Sequence, residues 1–373
     1  MDVNGKLELL GGLSPATFMK RHWQKKPLLV RQAWPGVAPP LPRAALFELA
    51  GQGDVESRLV ENNRGVWRVR QGPLPRRALP RLSRPGWTLL VQGLDLHAEV
   101  AHQMLQRFRF VPDARLDDLM VSWASAEGGV GPHLDAYDVF LLQVQGRRRW
   151  RVGRARRPQW VAEAPLKRLA NFESEQEWVL DPGDMLYLPP NWGHDGVAVG
   201  GDCMTCSVGF RVPEADELAR DLLLRLGDED ALPSRLYRDP DQGATASPAA
   251  IPAALHVFAE AAVRARLSDP LWLARALGES LSEPKPQVWF EGPGRPRGSG
   301  GVRLSPRTKM LHDAQHVFIN GEAFEAAGRD ARLMRSLADA RGLSAADIAR
   351  LSPPARELLD QWIASGWASG EAP

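Results

Sequence analysis

The chain has 373 residues, 44% of them hydrophobic, with a formal net charge of +2 and a pI near 8.6. That length leaves room for two or three domains with real cores, while so mild a charge gives no reason to expect direct nucleic-acid binding, leaving only Arg-dense patches to meet a nucleoprotein. Two cysteines, Cys203 and Cys206, exclude a disulfide framework or a Cys-rich zinc site; with no signal pattern and no long apolar run, a cytoplasmic protein with no membrane attachment is expected.

Ser14 is placed to cap a short helix whose first turn holds Pro15. Lys26–Arg31 reads as a strand, and 40–110 mixes helical pieces (43–51 and 98–108) with strands at 57–61, 65–69 and 87–93. From Asp118 to Arg211 the pattern is nearly all strand and turn, suggesting a sandwich or small barrel. The period turns helical after Pro213, with runs at 215–226, 252–267 and 269–277 interrupted by a loop at 239–248. Such an insert needs a partner surface, either the barrel or a second subunit, and the second of these would make a dimer. From about Pro284 a separate module follows: a Gly/Pro-rich tip, a hairpin turning at Asn320-Gly321, and helices at 329–340, 344–349 and 353–366. That order is winged-helix-like.

The chemistry gathers around Gly131-Pro132-His133-Leu134-Asp135 and the strand 137–152. Residues two apart on a strand face one side, so His133 and Asp135 converge; His194 follows after a Pro-rich turn. Two imidazoles and a carboxylate suit Fe(II), Mn(II) or Zn(II) with open positions. The bland alternative has Asp135 capping a turn and His194 in a surface loop. A zinc hydrolase would want a separate general base, whereas an Fe(II) oxygenase wants an anchor for an anionic co-substrate. Past Gly146, alternation separates Arg147, Arg149 and Arg151 from Arg148, Trp150 and Val152. The second set carries the apolar residues and should face inward, burying Arg148. A buried guanidinium requires a charged partner, either a dicarboxylate such as 2-oxoglutarate or a carboxylate of the protein. Thr205 and Ser207 share a strand face and are candidates for co-substrate contact, or small residues fitting a tapering barrel. Tyr137 and Asp138, at the cavity mouth, are candidates for substrate binding, with a half-buried tyrosine and a turn aspartate as the plain reading. From a different class, the chain reads as a non-catalytic metal-binding barrel that regulates transcription.

Four motifs are similar to those of the JmjC-domain oxygenases of the cupin superfamily, and among them the bacterial ribosomal oxygenases: Phe18…His22-Trp23-Gln24-Lys25-Lys26-Pro27-Leu28-Leu29-Val30-Arg31, Gly131 to Phe140, Gly146 to Trp150, and Asp181 to His194. The resemblance implies a mainly β fold with α. A double-stranded β-helix (cupin/JmjC jelly roll) would fill 1–212, a helical dimerisation segment 213–282 and a winged-helix-like domain 283–373. It implies a catalytic Fe(II) held by His133, Asp135 and His194, 2-oxoglutarate held by Arg148, O2 as co-substrate and a homodimer. It further implies hydroxylation of an arginine side chain at Cβ in a protein of the large (50S) ribosomal subunit. A histidine in a ribosomal protein, as in related eukaryotic enzymes, is the alternative target.

Overall fold

The computed structural model describes residues 2–228, 236–244, 249–267, 270–325 and 327–371, and the chain divides into two compact units, Met1–Val212 and Pro213–Pro373. The first carries helices α1 (Pro15–Arg21), α2 (Arg43–Leu49) and α3 (Glu99–Gln106) and one antiparallel sheet. Its strands are β1 (Leu28–Val30), β2 (Ser57–Asn63), β3 (Val66–Gln71), β4 (Trp87–Val91), β5 (Leu116–Ala124), β6 (Val139–Arg154), β7 (Gln176–Leu180), β8 (Met185–Leu188) and β9 (Trp192–Phe210). They run in the order β1-β8-β6-β9-β5-β4-β2-β3, with β7 also paired to β6. This interleaving of non-consecutive antiparallel strands makes the expected jelly roll.

Local chemistry positions the pieces. Ser14 Oγ accepts from the Thr17 N–H at 3.2 Å and Pro15 fills the first turn of α1. α1 delivers Phe18 to a buried cluster with Trp23, Phe110, Phe140 and Tyr187, its ring 4.9 Å from that of Tyr187. Each such ring pair adds about 1 kcal/mol beyond burial, which fastens the N-terminal arm to β6 and β8.

β6 and β9 pair along most of their length. Their register breaks on either side of Gln145, and Gly146 sits in the break with φ 61°. A Cβ there would collide with the Asp202 carbonyl, so the position requires glycine. The break resets the side-chain phase of β6. Val139 and Leu141 face the cavity before it, Arg148 and Trp150 after it.

The second unit opens with α4 (Ala215–Asp228), α5 (Ala253–Leu267) and α6 (Pro270–Ser282). Asp269, the expected start of the third helix, and Thr245 to Pro248 of the expected loop lie outside the described residues. Next come β10 (Val302–Leu304), β11 (Met310–His312), β12 (His316–Ile319), β13 (Glu322–Glu325), α7 (Gly328–Ala340), β14 (Gly342–Leu343), α8 (Ala345–Ala349), α9 (Pro353–Ala364) and β15 (Ala368–Gly370). β14-β10-β15 and β11-β12-β13 form two small sheets, the second turning at Asn320-Gly321 as expected. Leu337 of α7 and Leu359 and Trp362 of α9 are buried in the core of this unit.

Candidate metal and co-substrate site

His133 and Asp135 lie in an irregular link before β6, not on a strand. Their convergence with His194 comes from an isolated antiparallel bridge between His133 and His194. The His133 N–H donates to the His194 carbonyl at 3.0 Å and the His194 N–H returns the bond at 2.8 Å. Two residues that exchange both bonds stand face to face, which brings the imidazoles to 4.2 Å between centroids. Asp135 Oδ2 lies 3.6 Å from His194 Nε2, and one donor atom from each residue falls within 4.8 Å of the other two.

The imidazoles are prepared alike. His133 Nδ1 donates to the Gly131 carbonyl at 2.9 Å and His194 Nδ1 to the Trp192 carbonyl at 3.0 Å. A carbonyl only accepts, so Nδ1 carries the proton and Nε2 keeps its lone pair. Burial, reinforced by His133, pulls His194 down to about 4, against the opposing pull of Asp135. It is therefore neutral near pH 7, the state metal binding requires. Two imidazoles that turn Nε2 to the site and a carboxylate fit a divalent first-row ion with positions to spare.

The three side chains face a cavity of about 400 Å³. Arg148 and Trp150 line it, and Arg148 is only 2% exposed while Arg147 is exposed, which is the phase that alternation predicts. Arg148 Nη1 donates to Ser122 Oγ at 2.9 Å and to Thr205 Oγ1 at 3.4 Å, and Nη2 to the Gly196 carbonyl at 3.3 Å. Its Nε is buried without a partner, and its guanidinium lies 5.0 Å from the Trp150 ring centre. Burial lowers the pKa of Arg148, offset only in part by Cys203 and Asp195. Among the described residues it forms no ion pair, so no carboxylate of the protein fills the partner's place. A buried guanidinium with uncharged partners and a cavity in front of it fits an anion.

The other expected residues divide. Ser207 lines the cavity. Thr205 does not; it donates to Gln143 Oε1 at 2.9 Å and accepts from Arg148, standing behind the anchor. Tyr137 lines the cavity and is 41% exposed. Partial desolvation, with Asp135, Asp118 and Asp117 nearby, raises its pKa and keeps it a protonated donor. For Asp138 the expectation of substrate contact is corrected. Its carboxylate is fully buried away from the cavity lining, accepting from Tyr187 Oη at 2.5 Å and Gln24 Nε2 at 3.1 Å, with Arg115 Nη2 at 3.9 Å. Donors from the N-terminal arm and from β8 claim both of its oxygens.

Sequence reasoning passed over Ser122, Asp117 and Asp118. Ser122 follows Asp118 and Met120 in alternation on β5, and all three line the cavity. Consecutive strand residues should face opposite sides, yet Asp117 lines it too. The register of β5 on β9 shifts between Leu116 and Leu119, and such a shift re-aims side chains. Paired acids beside a candidate metal site were the available signal.

Comparisons with known proteins agree with this architecture. Residues 103–218 match the JmjC domain family and 265–369 the ROXA-like winged helix. The chain is 34% identical over 330 residues to the ribosomal protein uL16 3-hydroxylase of Escherichia coli, covering 84% of this chain and 86% of that protein. A probable ribosomal oxygenase of Haemophilus influenzae is 37% identical over 215 residues, 55% of this chain and 52% of that one. The solved structure of YcfD, a ribosomal oxygenase from Escherichia coli in complex with cobalt and 2-oxoglutarate, superposes with TM-score 0.79 at 31% identity, covering 96% and 99% of the two chains. The chain belongs to the JmjC-domain ribosomal oxygenases that carry a ROXA-like winged helix.

Proposed function

We propose that this protein is an Fe(II)- and 2-oxoglutarate-dependent hydroxylase of the large-subunit ribosomal protein uL16, acting at Cβ of an arginine. The observation that carries the reading is one cavity holding both the convergent triad and the unpaired Arg148. His133, Asp135 and His194 would hold the iron; Arg148 would take the distal carboxylate of 2-oxoglutarate, with Ser207 beside it and Thr205 and Ser122 keeping its fork in place. The bound metal and co-substrate supply the oxidation, in which one 2-oxoglutarate and one O2 yield succinate, CO2 and one hydroxyl on the substrate. The chain's own residues orient and shield. Burial keeps the His194 imidazole neutral, Trp150 walls the cavity beside it, and Tyr137 offers a phenol donor at the mouth. Asp117 and Asp118 place two carboxylates on the same cavity, beside Arg58, Lys167 and Arg168, and offer acceptors to the donors of an arginine side chain. The relative's action on uL16 and the cobalt and 2-oxoglutarate bound by YcfD support the assignment.

The proposed layout is a catalytic domain over 1–212, a helical segment over 213–282 and a winged-helix-like domain over 283–373, working in the cytoplasm as a homodimer. Leu223 and Leu224 on α4 and Val257 and Val263 on α5 are exposed apolar side chains available to a second copy. The test is incubation with Fe(II), 2-oxoglutarate and peptides tiling uL16, reading succinate and peptide mass together. One oxygen should be gained on one peptide, with none gained by the His133→Ala variant.

A further inference from the structure

The connection between β6 and β7, residues 155–175, folds back on itself through an isolated bridge between Trp160 and Leu169, with the Val161 N–H donating to the Arg168 carbonyl at 2.9 Å. This strap is tied to both histidine-bearing segments. The Leu169 N–H donates at 2.8 Å to the carbonyl of Pro132, one residue before His133. Leu169 and Phe172 lie against Gly193, one residue before His194, where a Cβ would approach them to 2.9 and 3.1 Å. So held, the strap presents Leu166, Lys167 and Arg168 to the cavity.

Arg168 is the residue left unexplained. Its guanidinium lies 4.7 Å from the ring centre of Trp67, on β3, so two separate elements meet over the turn at Gly131. That turn has φ 79°, and a Cβ on it would lie 2.8 Å from Arg168 Cδ and 3.1 Å from Trp67. Among the described residues Arg168 forms no ion pair or side-chain hydrogen bond, and its Nε is shielded from solvent without a partner. Stacking fixes the plane of the fork but satisfies none of its donors.

We infer that Arg168, clamped on Trp67, is a substrate-positioning residue that donates to a main-chain carbonyl of the substrate protein beside the target side chain. The lining carries Arg58, Arg148 and Lys167 as well as Asp117, Asp118 and Asp135, so it does not select a substrate side chain of either sign at this point. A backbone carbonyl accompanies any target residue and accepts from a planar fork without adding charge. Because the strap is bonded beside both histidines, the same contact registers the entering chain against the triad. This inference rests on the proposed hydroxylation of uL16.

The test uses Arg168→Met, which keeps an apolar stem on Trp67 while removing the donors, and Arg168→Lys, which keeps the charge but not the fork. Binding of a labelled uL16 peptide to the protein loaded with Fe(II) and 2-oxoglutarate under nitrogen is followed by fluorescence anisotropy. In Arg168→Met the peptide Kd and KM should rise about tenfold or more, with kcat at saturating peptide and the KM for 2-oxoglutarate unchanged; Arg168→Lys should recover part of the loss. Replacing the flanking amide of the peptide by an ester, whose carbonyl is a poorer acceptor, should weaken binding to the wild type and not to Arg168→Met. An unchanged peptide Kd in Arg168→Met beside an active wild type, or a rise in the 2-oxoglutarate KM instead, overturns this inference alone. If the wild type neither binds nor hydroxylates any uL16 peptide, the proposed function falls and this inference with it.

Discussion

Arg148 is surrounded by a serine, a threonine, a carbonyl and an indole face, so its charge finds a counter-charge only when an anion enters. Replacing it by alanine should raise the 2-oxoglutarate KM at least about tenfold while leaving metal affinity unchanged. Thermal stability should hold or improve, because an unpaired buried charge is removed; a large fall in Tm would contradict this account of the anchor. His194 gives a pH prediction. Its pKa is about 4 in the fold against 6.5 for a free imidazole, so between those values the unfolded chain takes up a proton that the folded chain does not. Metal-free protein should be fully supported by this group above about 6.5 and lose roughly 3 kcal/mol as pH falls towards 4. Urea titrations across that window check it, with His194→Gln showing a shallower pH dependence. Arg148 was legible because apolar Trp150 and Val152 share its phase. Asp138 was not, because the partners that bury it, Gln24 and Tyr187, are far off in sequence.

At the scale of elements, the existence of the strands was legible from composition and turns, but their irregularities were not. His133 and Asp135 were read as neighbours on a strand; the fold gathers them through a bridge to β9 that no local pattern encodes. The break at Gly146 is the reverse case, since a glycine inside a strand pattern marks a bulge. Gly146→Val should force the register of β6, costing about 1 to 3 kcal/mol in urea unfolding and weakening 2-oxoglutarate binding through displacement of Arg148. Unchanged co-substrate affinity in a folded Gly146→Val protein would show that the bulge does not set the phase of the anchor. The shift between Leu116 and Leu119 had no such marker, which is why the cavity-facing turn of Asp117 was not legible.

At the scale of the whole molecule, the jelly roll and the winged helix were foreseen because their motifs and periodicities are spread over the chain, and membership of the ribosomal oxygenases sets aside the non-catalytic cupin. The proposed dimer would cover side chains such as Leu224 and Val257, each 66% exposed. Light scattering should find two copies per particle in the wild type and one in Leu224→Glu/Val257→Glu, with the melting of the catalytic unit unaffected. The central claim, hydroxylation of an arginine of uL16 coupled to 2-oxoglutarate, is tested most directly by turnover of uL16 peptides under 18O2 with fragmentation of the product. One labelled oxygen on the β-carbon of an arginine, a second in an equal amount of succinate, is the predicted result; label on a histidine, or succinate formed with no labelled peptide, would contradict it.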